Sequence, residues 1–115
     1  MSVTIYHNPR CSKSRQTLQL LAENRIELEV VEYLKTPPDR ATLEHLLQLL
    51  GLEPCQLMRR KEKAYQELGL DDPDLSRDQL IDAMLAHPKL IERPIVVSNG
   101  KAAIGRPPES VLDIL

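Results

Sequence analysis

Apolar residues at the start of the chain fall too close together for a helix: Val3, Ile5 and Tyr6 form a short run that predicts a first β-strand. Asn8-Pro9 turns the chain, and Thr17, Leu18, Leu20 and Leu21 then mark the apolar side of a helix. Between Ile26 and Leu34 the pattern changes again. Leu28, Val30, Val31 and Tyr33 supply the β-branched and aromatic enrichment of a second strand, which completes a β-α-β opening. Thr36-Pro37-Pro38-Asp39 offers a capping threonine or aspartate and prolines suited to a first helical turn. The following helix carries Leu43, Leu46, Leu47 and Leu50 at i, i+3, i+4 and i+7, and Gly51 stops it.

The stretch from Glu53 to Leu70 is polar, with a short helical pattern around Gln56 to Lys61. Ser76-Arg77-Asp78-Gln79 is a capping-box pattern, and the helix it opens packs through Leu80, Ile81, Met84 and Leu85 until His87-Pro88 ends it. Ile95-Val96-Val97 and Ala102-Ala103-Ile104 flank Asn99-Gly100, which predicts a two-stranded hairpin. Pro107-Pro108 opens a last helix with Val111, Leu112 and Leu115 on its inner face. The order β-α-β, helical block, β-β-α predicts an α/β, thioredoxin-like (glutaredoxin-like) fold. Its four-stranded sheet is mixed, and its β-α-β crossover is expected to be right-handed. Residues 1–115 read as a single domain, with a helical subdomain inserted at about 36–91 rather than a separate domain.

Composition narrows the classes of function. The chain has 115 residues with a formal net charge of −2, and it contains no Trp and no Phe. Leu, Ile and Val must therefore fill the core, and the aromatic platform on which single-stranded nucleic acid stacks is missing. The charge balance lacks the basic footprint of a nucleic-acid binder, so an anionic ligand is expected to be small. The opening Met-Ser-Val-Thr does not read as a signal peptide, and no apolar run is long enough to span a bilayer, so a cytoplasmic location without membrane attachment is expected. In that compartment Cys11 and Cys55 are expected to be thiols, with Cys55 a buried filler in preference to a resolving thiol.

Cys11 is the candidate nucleophile. A cysteine is ordinarily a small buried hydrophobe, but this one sits between a strand and the start of a helix, among Arg10, Lys13 and Arg15. Unpaired N–H groups and the helix dipole favour an anion there, and these are the conditions that produce a nucleophilic thiolate. Ser12 and Ser14 are placed to offer hydroxyls to the thiol or to cap the helix, and at least one is expected only to cap. Ser14 also stands where a Cys-x-x-Cys motif has its second cysteine, which excludes a local dithiol switch. Arg59 or Arg60, Arg93 before Pro94, and Arg106 before Pro107 are candidate oxyanion binders, because planar guanidiniums bind such groups in bidentate fashion. Taken singly, each arginine reads as a solvated surface residue. His7 is placed to tune the thiol, although a structural hydrogen bond is the commoner role of a lone histidine. His45 and His87 lack partners at metal-ligand spacing, and no metal site is expected.

These segments together resemble the glutaredoxin-coupled arsenate reductase (ArsC) family over essentially the whole length, in its short branch. The likeness rests on Tyr6-His7-Asn8-Pro9-Arg10-Cys11 with Ser14-Arg15, on Leu57-Met58-Arg59 followed by Tyr65-Gln66-Glu67-Leu68-Gly69-Leu70, and on Asp78-Gln79-Leu80-Ile81. It continues through Arg93-Pro94-Ile95-Val96-Val97 and Gly105-Arg106-Pro107, with Val111-Leu112-Asp113-Ile114-Leu115 at the end. The resemblance implies a cytoplasmic oxidoreductase in which Cys11 attacks arsenate and forms a covalent adduct. Glutathione and then glutaredoxin would resolve it and release arsenite. It also implies that Arg59, selected over Arg60 by the alignment through Tyr65, joins Arg93 and Arg106 in holding the oxyanion, while His7 tunes the thiol; Ser14, from its own position beside the thiol, is expected to tune it as well. Glutathione is implied as a co-substrate with no bound cofactor, and a monomer is expected. Two other readings stay open: a regulator of the Spx type that binds RNA polymerase, and a monothiol glutaredoxin-like reductase of glutathione mixed disulfides using Cys11-Ser12-Lys13-Ser14.

Overall fold

A computed structural model describes residues 2–24 and 26–115. The chain divides into two compact units, Met1–Thr36 with Arg93–Leu115, and Pro37–Glu92.

The first unit is built on β1 (Ser2–His7), α1 (Ser12–Glu23), β2 (Glu27–Glu32), β3 (Ile95–Ser98) and β4 (Lys101–Ile104). The sheet runs in the order β2-β1-β3-β4. β1 and β2 are parallel, from Ser2 opposite Glu27 to His7 opposite Glu32. β3 is antiparallel to both β1 and β4, so the sheet is mixed as the hairpin signal requires. Asn99 and Gly100 both adopt positive φ, 56° and 71°, the conformation a two-residue primed turn demands. Val3, Ile5, Leu21, Val96 and Val111 form the core of this unit, with Leu18, Leu28 and Ala103 packed around them. This cluster is aliphatic, and Tyr33, 1% exposed, adds the one large buried aromatic side chain among the described residues of the unit.

After the hairpin the chain was expected to close with an α-helix. Instead Pro108–Ile114 winds as a 3-10 helix. Pro107 and Pro108 supply no N–H groups, and a segment this short gains too few i→i−4 bonds to offset nucleation of an α-helix.

The second unit contains α2 (Arg40–Leu50), α3 (Pro54–Leu57), α4 (Lys63–Glu67) and α5 (Arg77–Ala86). Asp39 caps α2 by accepting from Thr42 N–H at 2.8 Å, and Gly51 ends it with φ of 67°. Ser76 and Gln79 form the reciprocal capping box of α5. Two expectations are corrected here. The helical pattern around Gln56–Lys61 lies further upstream, because Met58 becomes extended and bridges Ile91. Arg59 N–H donates to Leu90 O at 2.7 Å and Glu92 N–H to Leu57 O at 2.8 Å, so pairing with a distant segment overrides local helix propensity. Cys55 is exposed, not a buried filler, since the one-turn α3 buries Pro54 and Leu57 and turns the residues between them outward.

Candidate active site

Strand β1 delivers the chain into a tight loop before α1. Asn8 organises that loop twice: its side-chain Oδ1 accepts from Arg10 N–H at 3.0 Å, and its carbonyl accepts from Cys11 N–H at 3.0 Å. Cys11 thereby becomes the N-cap residue of α1, with extended φ and ψ of −94° and 124°. It forms no side-chain cap bond. The sulfur is therefore left for other partners at the end of the helix where unpaired N–H groups favour an anion.

Its partner is Arg106, whose Nη2 lies 3.6 Å from Cys11 Sγ. That guanidinium is seated from behind, because Arg106 Nε donates to the carbonyl of Arg93 at 2.8 Å. Gly105, one residue earlier, donates its N–H to Pro94 O at 2.9 Å. A Cβ on Gly105 would stand 2.5 Å from Thr17 Oγ1 and 2.8 Å from Pro94 Cγ, so only glycine lets the end of β4 approach α1 and Pro94 this closely. The Arg93–Pro94 and Arg106–Pro107 peptide bonds are both cis. Cys11 itself is only 9% exposed, so a ligand meets the sulfur along a restricted approach beside a cation.

His7 and Ser14 form a separate buried pair behind the loop. His7 Nδ1 and Ser14 Oγ are 2.7 Å apart, and Ser14 Oγ also accepts from Asn8 N–H at 3.0 Å. At least one of Ser12 and Ser14 was expected only to cap the helix. Ser14 does not cap, since it lies inside α1 and reaches back to Asn8, ahead of Cys11. Burial, more than any charge, lowers the pKa of His7; Glu32 opposes this shift and Arg15 adds to it. The neutral imidazole is thus favoured. Ser14 Oγ accepts from Asn8 N–H through one lone pair, and the tautomer of His7 decides whether the hydroxyl donates to Nδ1 or accepts from it. Both residues reach Cys11 through the loop backbone, with no hydrogen bond to its sulfur.

The basic residues around the thiol have divided roles. Arg15 donates from Nη1 to Pro9 O at 2.9 Å and braces the loop, whereas Arg10 and Lys13 are exposed. Within the helical unit, Arg59 pairs with Glu62 and, at 3.6 Å, with Glu92. Asn8, Gly105 and Thr17 were not singled out from the sequence as site residues. Asn8-Pro9 read only as a turn, and the Gly-Arg-Pro run held the one signal that a close approach was needed at Gly105. The helical unit also has an open depression of about 700 Å³, where Glu44 pairs with Arg77 and no nucleophile is present. Among the described residues no three His, Cys, Asp or Glu side chains are grouped to hold a metal ion, and no helix is long and apolar enough to cross a membrane.

A mixed four-stranded sheet whose first strand feeds a cysteine at the cap of α1 defines a thioredoxin-like protein. The model of the ArsC family matches residues 6–114, and the chain belongs to that family. A solved structure described as an arsenate reductase from Vibrio cholerae superposes with a TM-score of 0.98 at 59% identity, covering 100% of this chain and 98% of that one. The uncharacterized protein YfgD of Escherichia coli is 63% identical over 114 residues, spanning 98% of this chain and 96% of its own. An arsenate reductase of Neisseria meningitidis serogroup A is 53% identical over 114 residues, with 98% and 97% covered.

Proposed function

We propose that this protein reduces arsenate to arsenite, with Cys11 as nucleophile and glutathione and glutaredoxin as the source of electrons. The observation that carries the reading is the Arg106 guanidinium 3.6 Å from Cys11 Sγ at the cap of α1. A thiolate and an arsenate dianion repel each other, so the attack requires a cation at the sulfur. Arg106 meets that need, and Arg93 supplies a further guanidinium of the oxyanion clamp. His7 and Ser14 act on the thiol by holding the loop that presents it.

Cys11 sulfur bonds to arsenic as an arsenate oxygen leaves as water, with arsenic still pentavalent. The thiol of glutathione then bonds to arsenic as a second oxygen leaves as water. Glutaredoxin thiolate takes the glutathionyl sulfur as a mixed disulfide, and the arsenic–sulfur bonding pair stays on arsenic, which becomes trivalent. Hydrolysis of the Cys11–arsenic bond releases arsenite and regenerates the thiol. Two thiols become one disulfide, which supplies the two electrons. The cytoplasm, where glutathione is kept reduced, suits this cycle.

The test is arsenite formation by purified protein with glutathione and glutaredoxin, for the native chain and for Cys11→Ser. Production by the native protein and none above background by the variant is the expected result. Equal production by both would refute the mechanism.

A further inference from the structure

The parallel strands β1 and β2 end level with each other, His7 opposite Glu32, so the segments that follow them leave the sheet side by side. One of these is the loop leading to Cys11. The other is a turn closed by Lys35 and Thr36 N–H groups, both donating to Glu32 O at 2.9 Å. Between them lies a cavity of about 280 Å³ lined by Asn8, Pro9, Arg10, Glu32, Leu34 and Lys35. Three of its lining residues immediately precede the nucleophile in sequence.

We propose that this cleft is the binding site for the tripeptide body of free glutathione, the thiol co-substrate; the inference rests on the reading of Cys11 as an arsenate nucleophile. The charges complement each other. At neutral pH glutathione carries two carboxylates and one ammonium, whereas the cleft presents two cations, Arg10 and Lys35, and one carboxylate, Glu32. A guanidinium suits a carboxylate end of the tripeptide. Leu34, 41% exposed, and Pro9 give the aliphatic stem of the γ-glutamyl group an apolar wall. Lys35 and Glu32 already face each other at 3.8 Å, but as a solvent-exposed pair, which contributes little and opens readily for a zwitterionic ligand. The cysteinyl thiol of the tripeptide lies between its charged ends, and Asn8, Pro9 and Arg10, which line the cleft, belong to the loop that leads to Cys11.

S-Methylglutathione, which binds without reacting, is the probe. In 15N-resolved titrations of the full chain its amide shifts should centre on Asn8, Arg10, Leu34 and Lys35. Lys35→Glu, at a side chain 79% exposed, should weaken that binding about tenfold. The same variant should raise the KM for glutathione about tenfold and leave the KM for arsenate unchanged. Shifts centred elsewhere, no shifts at millimolar probe, or an unaltered glutathione KM in the variant would overturn the assignment even if arsenate reduction is confirmed. Conversely, probe binding at the cleft in a protein that forms no arsenite would retain the tripeptide site and remove arsenate as its substrate.

Discussion

Gly105→Ala tests how closely the end of β4 must approach α1. The added methyl would lie 2.5 Å from Thr17 Oγ1, 3.1 Å from Thr17 Cγ2 and 2.8 Å from Pro94 Cγ, all inside normal carbon contact distance. None of these atoms has an easy retreat. Thr17 is fully buried, and its hydroxyl donates to Lys13 O at 2.8 Å, so rotating it away sacrifices that bond. Pro94 is buried too, with its ring fixed to the backbone. Overpacking of this kind costs about 1–3 kcal/mol, and stranding a buried hydroxyl costs a similar amount. Because relief of one strain incurs the other, a loss of about 2–3 kcal/mol is expected, or about 8–15 °C in Tm for a chain of this size. Urea and thermal unfolding followed by circular dichroism will read it. Adding Thr17→Ala removes two of the three clashing atoms, so the double variant should be less destabilised than the sum of the single ones. A Gly105→Ala loss below about 0.5 kcal/mol, within the range of ordinary surface substitutions, would refute the close-approach argument, as would strict additivity.

Arg106→Ala should lower kcat/KM for arsenate by about 10²–10³, the usual effect of deleting one oxyanion donor, with Arg106→Lys recovering only part; arsenite assays measure both. Burial makes the folded protein bind the His7 proton less readily than the unfolded chain does. Stability should therefore be fully present above the ordinary histidine value near 6.5 and should fall as the pH drops toward the lowered folded value. His7→Asn should flatten that slope in urea titrations between pH 7.5 and 5.5. Ser76→Ala removes the side-chain acceptor of Gln79 N–H at the start of α5 and should cost about 1 kcal/mol by denaturant unfolding.

What could be read from the sequence follows the range of the interactions involved. Cys11 at the cap of α1, the Asn99-Gly100 turn and the Ser76–Gln79 capping box depend on residues within a few positions of each other, and local rules suffice for them. Met58 depends on Ile91 and Arg59 N–H on Leu90 O, so nothing near Gln56–Lys61 announces that the helix must stop. Cys55 shows a different limit. Its exposure depends on which face of a four-residue helix packs, a choice that so short a pattern leaves open. Ser14 was legible as a site residue but not in its bonding, because a hydroxyl near a helix start satisfies either the helix or the preceding loop, and the buried His7 fixes the second choice.

Arg93 and Arg106 look equivalent in the sequence, each an arginine before a proline, and the structure links them through the backbone of one and the side chain of the other. Arg106 brings its guanidinium to the sulfur, while Arg93 contributes the carbonyl that holds that guanidinium. A carbonyl belongs to the backbone and survives any substitution at its position. The seat of Arg106 therefore depends on the path of the chain from Arg93 to Gly105, and Gly105 constrains that path through its lack of a side chain. On this view the chemistry at Cys11 rests on a cation whose placement is a packing property of the sheet. A substitution that leaves every charged group intact can therefore still move the cation off the sulfur.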